Sequence, residues 1–265
     1  MNTRPRTVLV VGATGSIGRL VVAESVRQGY RTRALVRNRD RARQLPPDTE
    51  LVVGDVTRPD TLPDAVDGVD AVVLTLGSDG TGRTGAETVD YGGVRNVLLA
   101  LGNRPAQIAL MTSIGVTNRD SGYNRSTHAH DWKRRSERLV RASGRPYTIV
   151  RPGWFDYNAP DQQRLVALQG DTRHAGDPSD GVIARHQIAQ VLVNSLSSEP
   201  ATRKTLELVA ETGPATTDFD GLFAALDPDP SGSIDGVRDT ANMPLDSEPD
   251  SVRTDLASAS ANHIN

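Results

Sequence analysis

No cysteine occurs among the 265 residues, which excludes disulfide scaffolding and thiolate chemistry. Aromatic residues make up only 4% of the chain, with three Phe and two Trp, so a local cluster of them carries information. Neither sign of charge dominates. Lys and Arg number 30 against 33 Asp and Glu, a net −3, and no basic stripe is interleaved with aromatics. That balance excludes a nucleic-acid backbone as the expected partner. No apolar run reaches the roughly 20 residues that cross a bilayer, and residues 1–6 are too few and too polar for a signal peptide. The expectation is a cytoplasmic protein without membrane or nucleic-acid partners, monomeric or homodimeric, that acts on a small molecule. With 37% hydrophobic residues, a chain of this length buries one core.

The stretch that organises the chain runs from Thr7 to Gly18. Residues 7–11 are apolar at almost every position, which suits a central parallel strand buried on both faces. Gly12, Gly15 and Gly18 follow in the spacing G-x-x-G-x-x-G, and Ile17, Leu20, Val21, Ala23 and Val26 then recur at helical spacing before Gly29. A side chain at the turn would hold the backbone away from a pyrophosphate, and one on the first helical turn would hold the helix off the strand. The anion then rests on free N–H groups at the positive end of a helix dipole. A strand, a glycine turn and a helix start in that order predict dinucleotide binding, with Thr14, Ser16 and Ile17 completing the loop.

Val11-Gly12-Ala13-Thr14-Gly15-Ser16-Ile17-Gly18 resembles the nucleotide loop of extended and atypical short-chain dehydrogenase/reductases, the group that includes NmrA-like and family 5-like NAD(P)-binding proteins. The similarity covers about residues 7–226. It implies an α/β fold: a doubly wound, mostly parallel sheet with helices on both faces (a Rossmann fold). It also implies oxidoreduction with a nicotinamide cofactor.

The segments that follow alternate between apolar strands and amphipathic helices. Residues 30–36 form a second strand that delivers Arg37 to its end. An acidic residue there binds the ribose hydroxyls of NAD, whereas arginine accommodates a 2′-phosphate. Arg37, flanked by Arg39, Arg41 and Arg43, therefore favours NADP, with NAD as the other choice. Residues 51–56 end in Asp55-Val56, which by resemblance contact the adenine; a helix-cap role for Asp55 is the alternative. The fourth strand, 71–77, should pass Leu74 and Thr75 under the ribose and pyrophosphate. A glycine-rich loop, 78–85, and a helix, 86–101, follow.

The fifth strand ends at Ser113, which resembles the reductase serine that hydrogen-bonds a substrate carbonyl. In catalytic relatives a Y-x-x-x-K helix follows, in which the ammonium lowers the phenol pKa and grips the ribose. Here Lys133 resembles the lysine, but Ala129 stands at the tyrosine position. His130 on the same helix, Tyr123 or Tyr157 from a loop, or no chemistry at all are the remaining readings. A helical Tyr123 would sit roughly 15 Å along the axis from Lys133, so it serves only by folding back. The basic run 133–143 reads as a solvated face or a subunit contact.

Residues 147–155 form a sixth strand whose Arg151-Pro152-Gly153 turn resembles the family's passage past the nicotinamide, with Gly153 letting the backbone approach the ring. Trp154, Phe155 and Tyr157 suggest a wall for a planar or apolar substrate. From Asp227 the composition turns to Asp, Pro, Ser, Gly and Ala, predicting an extended or disordered tail over 227–265 behind a nucleotide-binding domain of residues 1–226. No metal site is expected.

The function these residues support is NADP-dependent oxidoreduction of a small carbonyl or conjugated compound, with catalysis by Ser113, Lys133 and His130. The alternatives are an NmrA-like cofactor-binding regulator without turnover and an epimerase or isomerase that retains its cofactor.

Overall fold

The computed structural model describes residues 7–78 and 81–264. Residues 1–6, read above for a leader, and Asp79 and Gly80 of the glycine-rich loop lie outside the described residues. Six strands run parallel in the order expected of a doubly wound sheet: β1 (Thr7–Val11), β2 (Arg31–Val36), β3 (Glu50–Val53), β4 (Ala71–Leu74), β5 (Gln107–Met111) and β6 (Tyr147–Pro152). β7 (Trp154–Phe155) pairs separately with β9 (Val182–Ile183), while β10 (Lys204–Glu211) continues the main sheet and β8 (Arg164–Leu168) closes its edge antiparallel. The spatial order is β3-β2-β1-β4-β5-β6-β10-β8. Chain order reverses between β1 and β4, and ligands of open α/β sheets bind in the crevice outside such a switch point.

The helices are α1 (Gly18–Arg27), α2 (Pro63–Val66), α3 (Gly82–Gly85), α4 (Gly92–Leu101), α5 (Gly122–Thr127), α6 (Ala129–Ala142), α7 (Arg185–Ser195), α8 (Phe219–Ala224) and α9 (Asp250–Ile264). Residues Ala86–Tyr91, expected as a regular helix with α4, form a π-helical turn. β1 is buried at every position, as its unbroken apolar run requires. One core packs Val8 and Val10 against Ile17, Val21 and Val22 of the α1 side and Ile188 and Leu192 of α7. The other packs Leu9 and Val11 against Val66 of α2 and Val94, Val97 and Leu101 of α4. Ala23 points to solvent instead of the sheet.

Two sequence expectations are corrected by this packing. The segment from Asp227 is not an extended or disordered tail. It returns over α6, burying Asp229, Met243, Glu248, Val252 and Leu256. The basic run of α6 is not a solvated face either: Arg134 and Arg138 are at most 1% exposed, and Arg135 and Arg141 are buried too. The cause is one network. Arg138 pairs with Asp235 and Glu248, Arg134 with Asp235, Arg135 with Glu248, and Arg141 with Asp229. The composition argument counted apolar side chains, but carboxylates hold this segment. Among the described residues, no helix is long and apolar enough to cross a membrane.

Candidate functional site

The glycine turn between β1 and α1 is shaped by close approaches. Gly12 has φ +85°, and a Cβ there would meet the Thr75 carbonyl oxygen at 2.7 Å; one on Gly18 would sit 2.0 Å from the Gly12 carbonyl. Thr75 ties the two strand ends together, its N–H and Oγ1 both donating to the Val11 carbonyl at 3.0 and 3.1 Å. Gly15 meets only the Gly12 carbonyl, at 3.2 Å, and Thr14, Gly15 and Ser16 are exposed. Among the described residues the N–H groups of Ser16, Ile17 and Gly18 find no protein acceptor. These amides at the start of α1 fit a pyrophosphate.

The other sequence-predicted residues also lie at carboxyl ends of strands. Arg37 follows β2, is exposed, and has no ion-pair partner among the described residues, whereas Arg43 is paired with Asp40. Asp55 and Val56 follow β3. Asp55 Oδ1 accepts from both Thr57 N–H and Thr57 Oγ1 at 2.9 Å, closing a local turn; it caps no helix, since Arg58 stands at the N-cap of the next helical turn, Pro59–Thr61. Leu74 and Ile17 have buried side chains, so only their backbones face the turn. Pro152 ends β6. Gly153 needs a correction: a Cβ there would lie 2.5 Å from the Gly181 carbonyl, so its missing side chain admits a neighbouring strand connection rather than a ligand.

Ser113 leaves β5, and its Oγ is buried without a hydrogen-bond partner. His130 is in the first turn of α6, and its Nδ1 is likewise buried and unpartnered. Burial holds the imidazole below its usual pKa, offset in part by Asp171, while Lys133 lowers it further. A buried polar atom without a partner costs about 1–3 kcal/mol, so such atoms cluster where a ligand completes them. Tyr123 lies in α5, not on a loop, and its ring packs on His130 instead of reaching Lys133 as the sequence reading required. His128 adopts φ 57°, breaking α5 from α6, and this brings the Tyr123 ring to 5.1 Å from the His130 ring.

Lys133 Nζ donates to Asp90 Oδ1 at 3.1 Å, and Ser78 Oγ donates to Asp90 Oδ2 at 2.5 Å. Asp90 sits in the π-helical turn, a deviation frequent at functional sites. The sequence reading missed Asp90 and Ser78 because their meeting with Lys133 depends on three separate elements. Trp154 and Tyr157 meet edge to face at 6.2 Å between centroids, with Tyr157 65% exposed. Arg185 lies over Phe155, at 5.2 Å from the ring centroid. Two hollows of about 470 and 560 Å³ lie elsewhere, along α4 and α9, and neither includes the glycine turn or Ser113. The candidate site is therefore outlined by the strand ends, with Ser113 Oγ and His130 Nδ1 as its buried unpartnered atoms. No cluster of three metal-ligating side chains occurs among the described residues.

A family model described as NAD(P)H-binding matches residues 12–199. The chain belongs to the NAD(P)H-binding family. It is of the atypical short-chain dehydrogenase/reductase, NmrA-like type, with the Rossmann fold expected for it. Relatives include an uncharacterised chloroplastic protein of Arabidopsis thaliana, 30% identical over 83% of this chain and 75% of its own length. Sanguinarine reductase of Eschscholzia californica is 27% identical over 84% of this chain and 97% of its own. The chloroplastic protein TIC 62 of rice is 30% identical over 77% of this chain but only 46% of its own. Among solved structures, a candidate NAD-dependent epimerase/dehydratase of Bacillus halodurans superposes with TM-score 0.70 at 25% identity, over 83% of this chain and all of that one. This NAD(P)H-binding protein is thus an oxidoreductase-type family member. The cytoplasmic expectation is overturned by these relatives, several of which are chloroplastic.

Proposed function

We propose that the chain is an NADP-dependent reductase of a small, planar, conjugated or carbonyl-bearing compound. The observation that carries this reading is the pair of buried, unpartnered atoms, Ser113 Oγ just past the carboxyl end of β5 and His130 Nδ1 in the first turn of α6. NADPH, when bound, supplies the hydride. The amides of Ser16, Ile17 and Gly18 would hold its pyrophosphate, and the Arg37 guanidinium would take its 2′-phosphate. Ser113 donates its hydroxyl hydrogen to the substrate oxygen. Lys133, held by Asp90, would offer its remaining N–H groups to the ribose. His130, or a water beside it, delivers the proton to the reduced substrate. Trp154, Phe155 and Tyr157 flank the exit of β6 and suit a planar substrate. The relation to sanguinarine reductase supports the same substrate shape.

A second reading, a cofactor-responsive regulator without turnover, is favoured by Ala129 at the tyrosine position and by the engagement of Lys133 with a buried carboxylate. The two are separated by titrating NADPH and NADH against nicotinamide fluorescence, then adding ketones, quinones and enones while following nicotinamide absorbance. Expected are tighter binding of NADPH than of NADH and oxidation by at least one compound. In Arg37→Ala, NADPH affinity should fall about tenfold, with NADH little changed. Tight binding with no turnover across the panel selects the regulator. Binding of neither nucleotide overturns both.

A further inference from the structure

The loop after Ser113 is held from below by a residue outside the nucleotide-binding motifs. Asp171, 1% exposed, follows β8 and has φ 47°, a conformation that aspartate tolerates better than most residues other than glycine. Its Oδ1 accepts from the Gly115 N–H at 2.6 Å, and its Oδ2 from the Thr117 N–H at 2.7 Å and Thr117 Oγ1 at 2.8 Å. Charge-assisted bonds to two amides of one loop fix that loop more firmly than neutral ones. Gly115 in turn lies against His130: a Cβ on it would be 3.4 Å from the imidazole Cε1.

The C-terminal segment grips the same loop from the other side. Asn242 Nδ2 donates to the Thr117 carbonyl at 2.9 Å, its carbonyl accepts from Arg119, and its Oδ1 accepts from Arg134 of α6. On the near side of Ser113, Thr112 Oγ1 donates to buried Glu137 at 2.7 Å, and Glu137 is bound by Arg151, which also holds Asp239 of the C-terminal segment. Ser113 is thus bracketed by anchored residues.

We propose that Asp171 and Asn242 are positioning residues that set the loop carrying Ser113 against His130, so that the C-terminal segment is a working part of the site. This rests on the reductase reading above. The groups facing His130 are Asp171 after β8, Asp131 and Lys133 on α6, the Asn118 backbone and the Tyr123 ring. The imidazole therefore reports directly on Asp171.

The test uses the full chain and two near-isosteric variants. Asp171→Asn keeps the size but sets an amide against amide donors and removes the charge. Asn242→Asp keeps the acceptor for Arg134 but loses the donor to Thr117. Turnover is measured with the responsive compound, NADPH affinity by fluorescence, and His130 titration by NMR, assigned with His130→Gln. Expected for Asp171→Asn are a fall in kcat of at least tenfold, NADPH affinity within twofold of the parent, and His130 titration displaced to lower pH. Expected for Asn242→Asp is a smaller fall in kcat, with NADPH affinity kept. Unchanged kcat in both variants overturns the proposal, as does a loss of kcat matched by an equal loss of NADPH affinity. If no compound is turned over by the parent, the reductase reading fails. An unchanged His130 titration in Asp171→Asn then separately overturns the positioning claim.

Discussion

Two glutamates touch the same guanidinium and are driven in opposite directions by it and by burial. Glu137 receives Arg151 Nη2 at 2.6 Å together with Arg151 Nε, Arg141 and Thr112, and burial is outweighed: its pKa falls to about 2. Glu207 has a single 3.2 Å bond from Arg151, through Nη1, which Asp239 engages more closely; it accepts the Asp171 N–H at 3.1 Å but also faces the Asp171 charge, and burial wins and raises its pKa to about 7. The signs follow from proton linkage. A carboxyl with a lowered folded pKa adds stability that is present above its unfolded value near 4.5 and lost as pH falls toward 2. A carboxyl with a raised folded pKa binds its proton more tightly in the folded state, so its contribution is lost as pH rises from about 4.5 through about 7. The chain is therefore expected to be more stable at pH 5 than at pH 8 on account of Glu207, by up to about 3 kcal/mol. Glu207→Gln, which keeps an acceptor for the Asp171 N–H, should flatten that limb of a urea-denaturation series across pH. A series as steep in the variant as in the parent would assign the slope to other groups.

At the scale of elements, what was legible in the sequence was what is written locally. The buried β1, the glycine turn and α1 follow from one continuous stretch, since strand period, turn geometry and helix period are each properties of neighbours in sequence. So do the placements of Arg37, Thr75 and Ser113 at strand ends. The C-terminal segment was not legible, because its stability comes from partners about a hundred residues away: Arg134, Arg138 and Arg141 meet Asp235 and Asp229. The π-helical turn and the Lys133–Asp90–Ser78 contact were missed for the same reason. The signal that was present, an arginine run in one helix and scattered acids after residue 227, gains meaning only once the two are known to face each other. The energetic consequence is asymmetric. Asp229 accepts from Arg141, Tyr147 and Thr205 in the interior, so Asp229→Ala leaves buried Arg141 with only the Glu137 carboxylate that Arg151 also uses, strips Tyr147 and Thr205 of their acceptor, and is expected to cost about 3–5 kcal/mol. Arg43→Ala, which breaks the exposed pair with Asp40, should leave the denaturation midpoint unchanged within error. Equal midpoints for the two variants would mean that the C-terminal segment does not bear on the fold.

For the whole molecule, the crevice is built from the carboxyl ends of β1 through β6, which meet only in the folded sheet. Ser16, Ile17 and Gly18 offer amides, Arg37 a guanidinium without an ion-pair partner among the described residues, and Ser113 a hydroxyl. None of these groups is assembled in the unfolded chain. A nucleotide that binds there binds the folded state alone and stabilises it by RT ln(1 + [L]/Kd), about 2.7 kcal/mol at a hundredfold excess over Kd. For a chain of this length that corresponds to a rise in Tm of roughly 5–10 °C. With Arg37 in its proposed role at the 2′-phosphate, NADPH at a fixed concentration should raise Tm more than NADH does. In Arg37→Ala the two shifts should converge on the smaller value, while the Tm without nucleotide stays where it was, since Arg37 is exposed and has no ion-pair partner among the described residues. A thermal melt at matched nucleotide concentrations reads this without any substrate. Equal shifts from the two nucleotides in the parent chain would remove Arg37 as the determinant of cofactor choice, and no shift from either would remove the nucleotide from the crevice.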